Sequence, residues 1–182
     1  VKALRFVSIV EDELGAIKFE VTPLNQDAEI RFDPYLDGSI TNTDANWEER
    51  FWETLEVKED SERGYIVSKT LKTGFHVGTF MQSEILLNNE KVSTEATSSI
   101  GEDRISFAYK VKTAKQETAA IIKYAGYVSD MNHKKEQLIQ AAGKVLDSAT
   151  SKGFESLKKD QKEAWASIWE MADITISGDV KA

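Results

Sequence analysis

Apolar residues fall on every second position through much of the first 130 residues. Ile17, Phe19 and Val21 alternate with Lys18, Glu20 and Thr22, and Ile30 and Phe32 alternate with Glu29, Arg31 and Asp33. Ile105, Phe107, Tyr109 and Val111 alternate with Arg104, Ser106, Ala108 and Lys110. A period of two puts the apolar set on one face of a strand and the polar set on the other. Each run is therefore expected to bury one face and wet the other, as antiparallel sheets do. The opening VKALRFV is strand-like too, and Glu11-Asp12-Glu13-Leu14-Gly15 supplies a hairpin-length connection to the next run. Residues 64–72, 75–88 and 116–129 read as further strands. Many strands with short turns and no helices between them predict an antiparallel β-sandwich, or part of one, over residues 1–130.

The period then changes. Leu138, Ala142, Val145 and Ala149 follow helical spacing, and Lys152-Gly153 breaks the run. Phe154, Leu157, Gln161, Ala164, Trp165, Ile168, Trp169 and Ala172 trace one face of a second helix, with a polar interruption at Gln161. A helical hairpin is thus expected over 131–172. Asp173-Ile174-Thr175-Ile176-Ser177 is a β-like pentad, followed by a turn-like Gly178-Asp179. Trp165 and Trp169 are four residues apart and share a helix face. They pack on the sheet or, with Ile174 and Ile176, form a surface for another domain.

The stretch 33–52, DPYLDGSITNTDANWEERFW, is rich in Asp, Asn, Thr and Gly and reads as a long loop with turns. It also carries Tyr35, Trp47, Phe51 and Trp52. Such aromatics anchor a loop to a core, or they stack on sugar rings whose C–H faces match them. Tyr35, Asp37, Trp47 and Trp52 are the candidates for binding a saccharide. Asp37, Asp44, Glu48 and Glu49 are the local carboxylates from which a glycosidase-like pair would be drawn, set against their ordinary role in turns.

Composition narrows the classes. The chain has 182 residues, is 41% hydrophobic and 30% charged, and carries a net charge of -8. A chain of that size buries roughly two-thirds of its unfolded surface. Dispersed acidity argues against nucleic acid and against an anionic membrane as partners. The absence of cysteine removes disulfides, thiolate catalysis and Cys-based zinc sites, and fits a reducing, cytoplasmic setting. No apolar run approaches a membrane span, and the first residues lack signal-peptide architecture. The two histidines, His76 and His133, have no HExxH context, and GxSxG, P-loop and GxGxxG motifs are missing. No metal or organic cofactor is expected, and no catalytic residue is assigned.

Three separated runs carry a family resemblance: ALRFVSIVEDELGAIKFEVTPLN (3–25), PYLDGSITNTDANWEERFW (34–52) and IWEMADITISGD (168–179). The second holds Leu36-Asp37-Gly38, Asn42 and Asp44-Ala45-Asn46. The third holds Trp169, Asp173, Ile174, Ile176, Gly178 and Asp179. Together they resemble the maltose phosphorylase group of glycoside hydrolase family 65. The resemblance implies part of a galactose-mutarotase-like super-sandwich, then a helical linker, then residues 173–182 leading toward an (α/α)6-barrel. The barrel, which in the family carries the general-acid Glu and the phosphate site, is expected to be the partner of Trp165, Trp169, Ile174 and Ile176. The parent is expected to split a disaccharide, maltose foremost, with inorganic phosphate as co-substrate and inversion at the anomeric carbon. Kojibiose, trehalose and nigerose are the alternative substrates, and a homodimer is the expected assembly. A free-standing glycan-binding sandwich and a self-standing hydrolase are the competing readings.

Overall fold

The computed structural model describes residues 1–41, 50–174 and 177–178. Among them lie eleven strands: β1 (Lys2–Val7), β2 (Leu14–Val21), β3 (Ala28–Phe32), β4 (Tyr35–Asp37), β5 (Trp52–Asp60), β6 (Arg63–Thr70), β7 (His76–Leu87), β8 (Glu90–Lys91), β9 (Thr97–Ile100), β10 (Arg104–Thr113) and β11 (Ala119–Ser129). A 3-10 turn (Lys135–Gln137) and helices α1 (Leu138–Lys152) and α2 (Phe154–Ala172) follow.

The larger sheet runs β1-β2-β11-β7-β6-β5, with β8 folded back on β7. Every pairing in it is antiparallel. Two of its hairpins turn on residues with positive φ, Ser61-Glu62 and Asn88-Asn89. A pair of left-handed residues matches the right-handed twist of the flanking strands.

The smaller sheet is built on β10, with β9 along one side and β3 and β4 along the other. β3 and β4 are two halves of one strand. Phe32 pairs with Tyr109 and Tyr35 with Ser106, so the register continues unbroken across Asp33-Pro34. Phe107 N–H even donates to the Pro34 carbonyl across the break, at 3.0 Å. Pro34 has no N–H to return to the ladder, which interrupts the strand without shifting it.

The molecule has three layers, with the larger sheet in the middle. Alternation sends Ile66, Met81, Ile85 and Ile121 toward the smaller sheet, where they meet Leu36, Ile105, Phe107 and Tyr109. It sends Tyr65, Phe80, Ile122 and Tyr124 the other way, onto Leu138, Ala142, Leu146 and Ala149 of α1. α1 therefore lies on the sheet by the helical stripe expected of it. Gly153 ends it with φ 77 and begins α2; only glycine takes that conformation without strain. Phe154 and Leu157 are buried in the same cluster, and Phe154 meets Phe6 at 5.5 Å between ring centres.

Four expectations need correction. The buried face of β2 is not the one carrying Ile17 and Phe19: Leu14 and Ala16 are buried, while Ile17 and Phe19 are 40% and 37% exposed. Alternation separates two faces but does not say which one receives cover. Leu14 belongs to β2 rather than to the hairpin connection. The stretch 33–52 is not all loop, since it contains β4 and the first residue of β5. The β-like pentad is not assigned as a strand at Asp173, Ile174 or Ser177, and Thr175 and Ile176 lie outside the described residues. Among the described residues, no helix is long and apolar enough to cross a membrane.

Candidate functional site

The outer edge of β4 and the facing surface of β2 and β11 enclose a groove of about 560 Å3. Tyr35 and Asp37 stand on one wall, Lys123 and Ala125 on the other, and Val7 and Gly15 extend the floor. Lys123 crosses the gap and donates from Nζ to the Tyr35 carbonyl at 2.6 Å. Tyr35 and Asp37 are also drawn together by Arg104. Its guanidinium carbon lies 4.0 Å from the centre of the Tyr35 ring, and its Nη1 lies 3.6 Å from the Asp37 carboxylate. One face of Tyr35 is thus occupied by a cation, an arrangement favoured by the ring quadrupole.

Asp37 accepts hydrogen bonds from the Ser39 hydroxyl at 2.6 Å and the Ser39 N–H at 2.9 Å. Those bonds, with Arg104, hold its carboxyl below the ordinary aspartate range. A carboxylate kept ionised is a poor general acid at neutral pH. Lys123 is shifted by the opposite kind of surroundings: burial alone pulls its amine down to about 8. No carboxylate pairs with it among the described residues.

Trp52 stands elsewhere. With Arg50, Phe51, Thr70 and Leu71 it lines a second, mostly apolar pocket of about 470 Å3 at the start of β5 and the β6–β7 turn. Trp47 lies outside the described residues, as do Asp44, Glu48 and Glu49. Each histidine meets a carboxylate. His76 Nδ1 lies 3.1 Å from Asp130, and His133 Nε2 lies 2.7 Å from Glu13. These contacts fasten the end of β11 to β7 and the turn before α1 to the β1–β2 connection. Among the described residues, no group of three metal-ligating side chains comes together.

A second surface lies at the far end of α2. After Leu157 the helix has no buried residue. Trp165 and Trp169 stack at 6.5 Å, 41% and 57% exposed, with Ile168 beside them on the same stripe. Ile174 beyond the helix is 82% exposed. Ile176 lies outside the described residues. The periodicity therefore located the Trp165–Trp169 stripe, whereas Lys123 and Arg104 went unnoticed. The one available signal for Lys123 was a lone charge inside the apolar run Ala119-Ala120-Ile121-Ile122-Lys123-Tyr124.

Comparison with known proteins agrees with this architecture. The family described as glycosyl hydrolase family 65, N-terminal domain, matches residues 1–168. Maltose phosphorylase of Bacillus subtilis (strain 168) is 30% identical over 98% of this chain and 23% of its own length. Alpha,alpha-trehalose phosphorylase of Thermoanaerobacter brockii is 26% identical over 98% of this chain and 24% of its own. The chain thus spans about a quarter of the length of these relatives. Among solved structures, one described as a kojibiose phosphorylase from the human microbiome superposes with a TM-score of 0.77. It is 16% identical and covers 91% of this chain and 21% of the solved one. By the match that runs from its first residue to α2, the chain belongs to glycosyl hydrolase family 65, in that family's N-terminal domain.

Proposed function

We propose that this chain is the non-catalytic N-terminal domain of an inverting disaccharide phosphorylase, and that it seats the catalytic part of the longer enzyme on the exposed stripe of α2. The stripe is the observation that carries the reading. α2 is roughly 28 Å long at 1.5 Å per residue, and only its first turn contributes buried residues. Two stacked tryptophans beyond it are the kind of anchors that dominate interface energetics. Asp37, held ionised, is a poor general acid, and on this reading the general acid and the phosphate site belong to the catalytic part.

Maltose is the favoured substrate, on the strength of the 30% identity to a maltose phosphorylase. The products are then β-glucose 1-phosphate and glucose. Phosphate attacks the anomeric carbon from the face opposite the leaving oxygen, in the place of the water used by an inverting hydrolase. The test incubates the full-length enzyme and the 182-residue chain with phosphate and maltose, kojibiose, trehalose or nigerose, and measures glucose 1-phosphate. Release by the full-length enzyme alone, greatest with maltose, is the expected result. Release by the 182-residue chain overturns the non-catalytic assignment. Inactivity of the full-length enzyme on all four sugars overturns the phosphorylase reading.

A further inference from the structure

α2 leaves the body of the protein at Gln161. Phe154 and Leu157, on the same stripe, are buried in the core cluster, and no α2 residue beyond them is. One turn after Leu157 the stripe calls for another apolar residue, but the chain carries an amide there. Gln161 Oε1 accepts the Ile9 N–H at 2.8 Å, so the polar interruption ties α2 to the β1–β2 turn.

The turn is ordered so as to offer that amide. Ser8 is buried at its base and donates its N–H to the Leu14 carbonyl at 2.9 Å. Ser8 Oγ accepts the N–H groups of Val10 at 3.1 Å and Glu11 at 2.8 Å. Of the amides from Ser8 to Glu11, that of Ile9 leaves the turn for α2. A second tie runs beside it, because Lys152 at the end of α1 reaches Glu11 at 3.5 Å and Asp160 of α2 at 2.6 Å.

The junction between the helices makes these ties necessary. Gly153 joins α1 to α2, and a Cβ built there would meet nothing within 4 Å, so no side chain wedges the angle. Trp169 lies roughly 12 Å beyond Gln161 at 1.5 Å per residue. A small tilt at the turn therefore displaces the stacked tryptophans. The side chains of Ile9 and Val10, 38% and 46% exposed, stand on the turn that Gln161 grips, and Trp165 follows one helical turn after Gln161. The exposed apolar stripe of α2 thus has an exposed apolar neighbour on the turn.

We propose that the β1–β2 turn is the second side of the seat for the catalytic part. Ile9 and Val10 are covered together with Trp165 and Trp169, and Gln161 is the positioning residue that fixes the two sides relative to each other. The proposal rests on the reading of the α2 stripe as the place where the catalytic part docks, and continuity with that stripe names the occupant.

The chain has no cysteine, so a single introduced thiol reports cover. Val10→Cys marks the turn, and Ile168→Cys marks the stripe between the tryptophans. Each is made in the 182-residue chain and in the full-length enzyme, and alkylation by iodoacetamide is followed on the peptide that carries the thiol. Both thiols are expected to react about 10-fold or more slowly in the full-length enzyme. Slowing at Ile168→Cys alone leaves the docking of α2 standing and overturns the two-sided seat. Slowing at Val10→Cys alone, or at neither, overturns both. Slowing that grows with the concentration of the 182-residue chain overturns the seat in favour of a second copy. Gln161→Ala, added to either full-length variant, is expected to return fast alkylation. Gln161→Glu, which keeps an acceptor oxygen for the Ile9 N–H, is expected to keep it slow. If Gln161→Ala does not fold, Gln161→Met is read in the same way. Equal rates with and without the acceptor overturn the positioning role. Phosphorolysis is scored separately. An active enzyme with fast thiols sinks the seat, and an inactive protein with slow thiols sinks the phosphorylase reading alone.

Discussion

Ile121 and Phe19 face each other across neighbouring strands of one sheet, on the same side. Ile121 is 8% exposed and Phe19 is 37% exposed. The two differ in cover: Ile121 lies in the core between the two sheets, whereas β2 meets that core only at its end, through Val21. A strand's own sequence sets which residues share a face, and the neighbouring layer sets whether that face is dry. The sharpest way to break this contrast is to remove a ring from each side of the boundary. Phe80 is fully buried under α1, and Phe80→Ala is expected to cost about 3–5 kcal/mol through lost transfer and cavity terms. Phe19→Ala in the 182-residue chain is expected to cost less than about 1 kcal/mol, because its ring is already partly in water. Urea midpoints of the two variants check the pair, and similar losses would mean that the β1–β2 wing is covered after all.

The wing is stitched to the doubly covered region at Gly126. A Cβ built there would lie 1.8 Å from the Glu13 carbonyl oxygen and 2.7 Å from the Phe80 ring. The first neighbour is backbone, so it cannot rotate away. Tyr127 N–H donates to that same carbonyl at 3.2 Å, which holds the two segments together. Gly126→Ala is expected to cost about 1–3 kcal/mol by overpacking. It should also raise amide exchange in β1 and β2 more than in β6 or β7. A uniform increase across the sheet would show that the wing is not a separable unit.

The same boundary separates what the sequence disclosed from what it withheld. Strands such as β10, whose Ile105, Phe107, Tyr109 and Val111 are all buried, were legible because one face is dry and the other is not. The α1 stripe was legible for the same reason. β5 was missed because its run, Trp52-Glu53-Thr54-Leu55-Glu56-Val57, loses phase at a register shift between Thr54 and Glu56. β4 was hidden behind Pro34, which looks like a loop signal and is in fact a break within one continuous strand. The groove was illegible for another reason. Tyr35 and Asp37 are close in sequence, but Arg104 and Lys123, which hold them in place, come from β10 and β11. Only the long-range pairings bring those residues together, and no local pattern encodes such pairings.

The smallest expected effect sharpens the contrast at its margin, where Lys123 stands between the covered and uncovered faces. Burial holds its amine at about 8, below the ordinary lysine value of 10.5. Between those two values the unfolded chain binds more protons than the folded one, so stability is expected to rise with pH from about 8 upward. Below 8 both states are protonated, and the cost of burying the cation is fully present. Above about 10 the rise meets an opposing slope. Burial lifts the Tyr109 hydroxyl to about 12 and pushes Tyr124 up as well, so the unfolded tyrosines ionise first and favour unfolding. Urea midpoints taken at intervals from pH 7 to 10 should therefore climb in the native chain. In Lys123→Met that climb should vanish, while the loss above pH 10 remains. A native chain with a flat profile over pH 8–10 would place Lys123 in water, and the edge of the smaller sheet would then stop short of β11.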